Sequence, residues 1–160
     1  MGALKVGETA PDFSLRSADG REVRLSEAIR QNAYTILAFF PAAFSSVCTN
    51  EMNVFEEALD EFSNLSAGIL AISVDNVHAR REFAARNGLE FPLLSDFHPH
   101  GKVAAAFGVL GEDGTADRAL FVLDQDRRVR YSFVSDRGVN PGTDRLIEAL
   151  EQLEGLREAA

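Results

Sequence analysis

One cysteine stands among 160 residues, and its neighbours are spaced as a reactive thiol needs them. The stretch Phe39-Phe40-Pro41-Ala42-Ala43-Phe44-Ser45-Ser46-Val47-Cys48-Thr49-Asn50-Glu51 joins two patterned segments. Before it lies an apolar run, Tyr34 to Phe40; after it, apolar residues recur at Met52, Phe55, Leu59 and Phe62. Steps of three and four mark one face of a helix, and they extend back to Cys48. The thiol is therefore predicted on the inward face of the first helical turn. Ser45 or Ser46 suits the N-cap, where a side-chain oxygen accepts from a free backbone N–H. Thiolate is the nucleophilic form of cysteine, and negative charge is favoured beside the unpaired amides at a helix start. A lone cysteine is otherwise a small buried hydrophobe. Three neighbours argue for more: Pro41 ends the strand rigidly, Ser45 brings a hydroxyl near the sulfur, and Glu51 sets a carboxylate one turn along.

The elements that must hold this stretch follow from the rest of the pattern. Residues 12–25 predict a hairpin, with Phe13 and Leu15 alternating with polar neighbours, a turn at Ala18-Asp19-Gly20, and Val23 and Leu25 alternating again. Tyr34 to Phe40 has the near-continuous apolar character of a central strand covered on both faces. The Cys48 helix is expected to run to about Asn64, and Gly68 to Val74 forms a second buried strand. Asn76 caps a helix from Val77 that stops at Gly88. Pro92-Leu93-Leu94 is extended, and Pro99 to Phe107 is helical, stopped by Gly108. Ala119 to Leu123 and Val129 to Val134 pair antiparallel through the tight connection Asp124-Gln125-Asp126-Arg127. Asn140-Pro141 signals the start of a last helix, with Pro at the first helical position and a buried stripe of Leu146, Ile147, Leu150 and Leu153. The pairs Arg80-Arg81 and Arg127-Arg128 read as solvated surface charges.

With no linker, repeat or low-complexity stretch, residues 1–160 are expected to form one domain. Sixteen basic against twenty-five acidic residues give a net charge of −9, so no basic stripe exists to neutralise nucleic acid or an anionic membrane. The N-terminus has no basic start followed by an apolar core, and no apolar run reaches the length of a membrane span. The expected compartment is the cytoplasm. A single cysteine rules out an internal disulfide and a zinc-type cysteine cluster.

The residues around Cys48 resemble the active-site pattern of the peroxiredoxins, Pro-x-x-x-Thr/Ser-x-x-Cys, through Pro41, Ser45 and Cys48. Glu51 fits the acid three residues beyond, Ala10-Pro11-Asp12-Phe13 lies upstream and Arg118 downstream. Phe91-Pro92-Leu93-Leu94-Ser95-Asp96-Phe97, followed by Pro99-His100-Gly101, is most similar to the one-cysteine, alkyl hydroperoxide reductase E-like subfamily. The resemblance runs from about Gly7 to Leu153. It implies an α/β, thioredoxin-like fold: a central mixed sheet flanked by helices, with an N-terminal β-hairpin. The element order above fits that sheet. It also implies a thiol-dependent peroxidase acting on hydrogen peroxide, alkyl hydroperoxides and peroxynitrite. Cys48 becomes a sulfenic acid and is restored by an external thiol or a thioredoxin- or glutaredoxin-like partner. No metal, haem or flavin is implied, and a homodimer through the active-site edge is.

The implied site residues are Cys48, Arg118, Ser45, Pro41 and Glu51, each with a physical part. An unpaired Glu51 carboxylate beside Cys48 would oppose thiolate formation. The Arg118 guanidinium, expected at the mouth of the 119–123 strand, would cancel that effect by bridging carboxylate and sulfur. Ser45 would bond the thiolate or the peroxide, or serve as N-cap, and the family more often carries Thr there. Pro41 would shield the sulfur. Ala42, Ala43 and Phe44 would form an apolar rim. His98 and His100 invite a Cys–His hydrolase reading, but nothing in the sequence places them beside Cys48. Two other classes remain: a non-enzymatic redox sensor or binding module of the same fold, and a disulfide oxidoreductase, which lacks its second cysteine.

Overall fold

The structure, a computed structural model, describes residues 2–159. Strand β3 (Tyr34–Phe39) is its axis, buried at every position. Its side chains alternate between two cores. Tyr34, Ile36, Ala38 and Phe40 enter one cluster, while Leu37 and Phe39 enter the other. A period of two with both faces covered is why the run is apolar apart from Thr35.

β4 (Ala67–Ser73) pairs parallel to β3, and β5 (Leu93–Ser95) parallel to β4. On the other side β6 (Arg118–Leu123) runs antiparallel to β3, and β7 (Val129–Ser135) antiparallel to β6. The N-terminal hairpin of β1 (Ser14–Ser17) and β2 (Glu22–Arg24) adds to β5, giving seven strands in the order β2-β1-β5-β4-β3-β6-β7. One face packs α2 (Ser46–Glu57), α3 (Leu59–Asn64), α4 (Val77–Asn87) and α6 (Asp144–Ala159) through Met52, Phe55, Phe62, Phe83, Leu146 and Leu150. The opposite face packs α1 (Leu25–Ala28) and α5 (Lys102–Ala106). There the rings of Phe39, Phe107 and Phe121 meet with centroids 5.2 to 5.9 Å apart. Burying each such ring stabilises the fold by about 2–3 kcal/mol. Among the described residues no helix is long and apolar enough to cross a membrane.

The expected fold class is observed, and several local signals hold. Asn76 Oδ1 accepts from Ala79 N at 2.8 Å and caps α4, which Gly88 ends at φ 62°. Asp124 Oδ1 accepts from Asp126 N and Arg128 N, tightening the β6–β7 turn.

Four local expectations are corrected. The second hairpin strand stops at Arg24: Leu25 N still donates across the hairpin to Phe13 O at 2.9 Å, but Asp12 Oδ1 accepts from Ser26 N at 2.9 Å and Leu25 opens the single turn of α1. The segment expected to be one helix to Asn64 is two, broken at Ala58, whose ψ of 1° leaves the helical range. α5 is confined to Lys102–Ala106, because Asp96 accepts from Val103 N and Ala104 N and so caps the helix there rather than at Pro99. Asn140-Pro141 does not start α6. Asn140 Oδ1 accepts from Gly142 N at 3.0 Å, spending its cap on a turn, and the helix begins at Asp144.

Candidate active site

Sheet register brings the site together. β3 ends at Phe39, which pairs with Ala119 on β6, so Arg118 stands one residue beyond that pairing, beside the turn that leads into α2. The turn is tied down at Ala43, whose N–H donates to Asp75 Oδ2 at 2.8 Å. Phe44 adopts φ 67°, a conformation few non-glycine residues take, and its exposed ring packs edge-on against Phe83 at 5.3 Å. Ser45 is extended at φ −68°, ψ 148°, and is the N-cap of α2, its Oγ accepting from Cys48 N at 3.2 Å. Of the two capping candidates the structure selects Ser45. Its hydroxyl meets the Cys48 amide, and no bond from it to the sulfur is present.

Cys48 is fully buried on the inward face of the first turn, among the side chains of the α-helical core. Arg118 and Glu51 are buried beside it, with side chains 2% and 1% exposed. Arg118 Nη1 donates to Glu51 Oε1 at 2.7 Å, and Nη2 donates to Cys48 Sγ at 3.2 Å. Nε and Nη2 also donate to the carbonyl of Arg137, at 3.2 and 2.9 Å. One planar guanidinium thus faces a carboxylate, a sulfur and a carbonyl at once, the fixed-fork geometry that lysine lacks. Glu51 Oε2 is buried without a partner.

That last atom has an electrostatic consequence. Burial raises the Glu51 carboxyl from an ordinary 4.5 to about 7, with the Arg118 charge opposing the rise. The folded state therefore binds this proton more tightly than the unfolded chain does. The stability it confers is complete below pH 4.5 and is lost as pH rises toward 7, a difference on the order of 3 kcal/mol. Glu51→Gln keeps an acceptor for Arg118 but does not titrate. Chemical denaturation at pH 5 and pH 8 should show the wild type losing stability on going to the higher pH and the variant losing at least 1 kcal/mol less, roughly a third of that difference. Equal losses in the two proteins would remove Glu51 as the titrating group.

Pro41 is partly buried at the strand end, and Ala42 and Ala43 lie half-buried with Phe44 at the rim. His98 and His100 are exposed, and His100 Nε2 bonds the carbonyl of Gly114 at 2.7 Å. Neither ring is a partner of Cys48 among the described residues. Arg80 corrects the expectation of a surface charge: it is fully buried, donating from Nη2 to Ser73 O and Oγ and lying 5.6 Å over the Phe40 ring. Ser73 Oγ in turn donates to Asp75 Oδ2 at 2.6 Å, the carboxylate that holds Ala43. Arg80 precedes the buried Phe83 by three residues and so shares its helix face. Arg137 carried no signal in the sequence, because its backbone oxygen is what meets Arg118.

Residues 6–132 match the AhpC/TSA family. Alkyl hydroperoxide reductase E of Mycobacterium tuberculosis is 40% identical over 136 residues, covering 84% of this chain and 88% of that protein. A chloroplastic 2-cysteine peroxiredoxin of Chattonella marina var. antiqua is 30% identical, over 98% of this chain and 84% of its own length. Among solved structures, peroxidoxin BcpB from Mycobacterium tuberculosis superposes with a TM-score of 0.84 at 33% identity, over 94% of this chain and 98% of that one. A thioredoxin-like sheet, a cysteine at a capped helix start and these relatives lead to one assignment: the chain belongs to the AhpC/TSA family and is a peroxiredoxin, a thiol-dependent peroxidase with a single cysteine.

Proposed function

We propose that Cys48 is the peroxidatic residue and that Arg118, Glu51, Ser45 and Pro41 complete the site. The observation that carries this reading is the 3.2 Å approach of the Arg118 guanidinium to Cys48 Sγ while Glu51 holds the other edge of the same fork. The thiolate attacks one oxygen of a peroxide ROOH. The S–O bond forms as the O–O bond breaks, sulfur gives up two electrons, and the departing RO⁻ takes a proton to leave as water or an alcohol. Arg118 stabilises the charge on the departing oxygen. Ser45 fixes the helix start that carries the sulfur, Pro41 covers it, and the Ala42–Phe44 rim suits alkyl as well as hydrogen peroxides. Peroxynitrite fits the same attack.

The sulfenic acid has no second thiol in the chain to condense with. An external thiol therefore attacks Cys48, releasing water and leaving a mixed disulfide, which a second thiol or a glutaredoxin- or thioredoxin-like protein reduces. The chain works as one domain built on one sheet. A lone reducible cysteine suits the cytoplasm. The exposed ring of Phe44 at the rim of the site favours a homodimer through this edge.

Intact mass spectrometry tests the cycle. One equivalent of peroxide should give a monomer one oxygen heavier, trapped by dimedone. A low-molecular-weight thiol should then give a mixed disulfide on Cys48. Excess peroxide without thiol should drive Cys48 to sulfinic acid and stop turnover. Rapid, complete formation of a Cys48–Cys48 covalent dimer at low protein concentration would overturn the external-thiol route.

A further inference from the structure

We propose that Arg137 is a positioning residue for peroxide reduction, clamping the loop after β7 to the 111–117 turn so that its own carbonyl aims the Arg118 guanidinium. The inference rests on the reading of Cys48 and Arg118 given above. Arg118 approaches the sulfur through Nη2, and that nitrogen and Nε both donate to Arg137 O. One carbonyl therefore sets the rotation of the guanidinium plane about its Cδ–Nε axis, while Glu51 fixes only the far edge. Yet this carbonyl belongs to residues 136–143, which form neither strand nor helix. Val139 N donates to Asp136 O and Ser135 Oγ donates to Val139 O, both at 3.1 Å, but these bonds lie within the turn and do not tie it to the neighbouring 111–117 loop.

The Arg137 side chain does so. Nη1 donates to Asp113 Oδ2 at 2.7 Å, and Nη2 donates to Asp117 Oδ1 and Thr115 O, both at 3.2 Å. The turn it grips is itself rigid. Asp113 Oδ1 accepts from Thr115 N and Oγ1, Gly111 N donates to Thr115 O, and Leu110 bridges to Ala116. Hydrogen bonding to Arg137 holds the Asp113 carboxyl well below the ordinary carboxylate range, so the clamp is charged throughout neutral pH. Asp117 directly precedes Arg118, so one cation steadies both the backbone from which Arg118 springs and the oxygen that orients its tip. Gly111 is part of the fit: a Cβ there would sit 2.0 Å from Arg137 Nη2.

Both ion pairs are partly exposed, and such pairs add little to stability. The clamp acts instead on orientation, where a displacement of about 1 Å at a reacting group costs on the order of a hundredfold in rate. Arg137→Ala should therefore slow Cys48 oxidation by hydrogen peroxide by about ten- to a hundredfold in stopped-flow measurements. Thiolate fraction and melting temperature should stay close to wild type. Arg137→Lys should recover only a small part, since a point charge cannot meet Asp113, Asp117 and Thr115 O in one plane. Gly111→Ala, which leaves every charge in place, should slow the reaction in the same direction by displacing the side chain. Wild-type oxidation rates in folded Arg137→Ala, or a loss that tracks thiolate fraction, would overturn the proposal.

A second measurement separates it from the peroxidase reading itself. The Arg118 Nε–H resonance, assigned by its absence in Arg118→Ala, should exchange slowly with solvent in the wild type. It should exchange faster in Arg137→Ala and Gly111→Ala. An unchanged resonance in both variants would sink the clamp whatever the protein does with peroxide. Faster exchange would uphold the clamp even were Cys48 inert.

Discussion

Cys48→Ser is expected to bring peroxide consumption down to the uncatalysed background while the circular dichroism spectrum and melting temperature remain close to those of the wild type. The activity loss follows from chemistry. A serine hydroxyl is not ionised near neutral pH and has no sulfur lone pair to give up two electrons to a peroxide oxygen. No other thiol exists in the chain to substitute. Preservation of the fold follows from the site. The capping bond that Cys48 makes is through its backbone amide to Ser45 Oγ, which the substitution leaves in place. The new hydroxyl is buried, but Arg118 Nη2 already points at the position of the sulfur and supplies a donor. A buried polar group with a partner costs little, whereas an unpaired one costs about 1–3 kcal/mol. Peroxide turnover in a folded Cys48→Ser protein would dismiss Cys48 as the reacting group.

How much of this was legible depended on whether a residue's surroundings are encoded nearby in the chain. β3 could be read because a nearly continuous apolar run this short, rich in aromatic and β-branched residues, suits a strand covered on both faces better than a helix. Asn76 and Gly88 could be read because caps are short-range signals, decided by two to four residues. The Asn140-Pro141 signal misled for the same reason: asparagine serves a turn as well as a helix, and only the position of Gly142 distinguishes the two. Ala58 interrupts the second helix without any residue that disfavours helix, so no pattern could show the break. The site divides along the same line. Cys48, Ser45 and Glu51 share one turn of helix and were legible from spacing. Arg118 lies 70 residues away and was reached through family resemblance, then set beside Cys48 by the β3–β6 register. Arg80 was misread because burial of a cation depends on Ser73 and Phe40, which reach it only in the folded sheet.

Arg118→Ala should slow Cys48 oxidation by roughly a hundred- to a thousandfold, the range seen when a preorganised donor to developing charge is removed. The size of the loss identifies how Arg118 acts. A thiol with an ordinary pKa of about 8.5 is roughly 3% thiolate at pH 7, so full ionisation raises the rate at most about thirtyfold. Nucleophilicity falls as the thiolate becomes more stable, which lowers that ceiling further. A larger loss must therefore come from the transition state, where the departing oxygen gains charge within reach of the fork now bonded to sulfur and Glu51. Removing the guanidinium also leaves Glu51 buried without a cation, and its carboxyl, already raised to about 7, then rises further. The variant is accordingly expected to lose stability as pH increases above neutrality. Kinetics are best compared at pH 6 to 7, and in Arg118→Ala/Glu51→Gln, where no unpaired carboxylate can form. Arg118→Lys should restore little of the rate, because an ammonium on a flexible stem cannot hold Glu51, the sulfur and Arg137 O in one plane. Rate constants divided by the thiolate fraction measured for each variant decide the matter. If that quotient equals the wild-type value, Arg118 acts only by ionising Cys48, and its role in stabilising the departing oxygen is refuted.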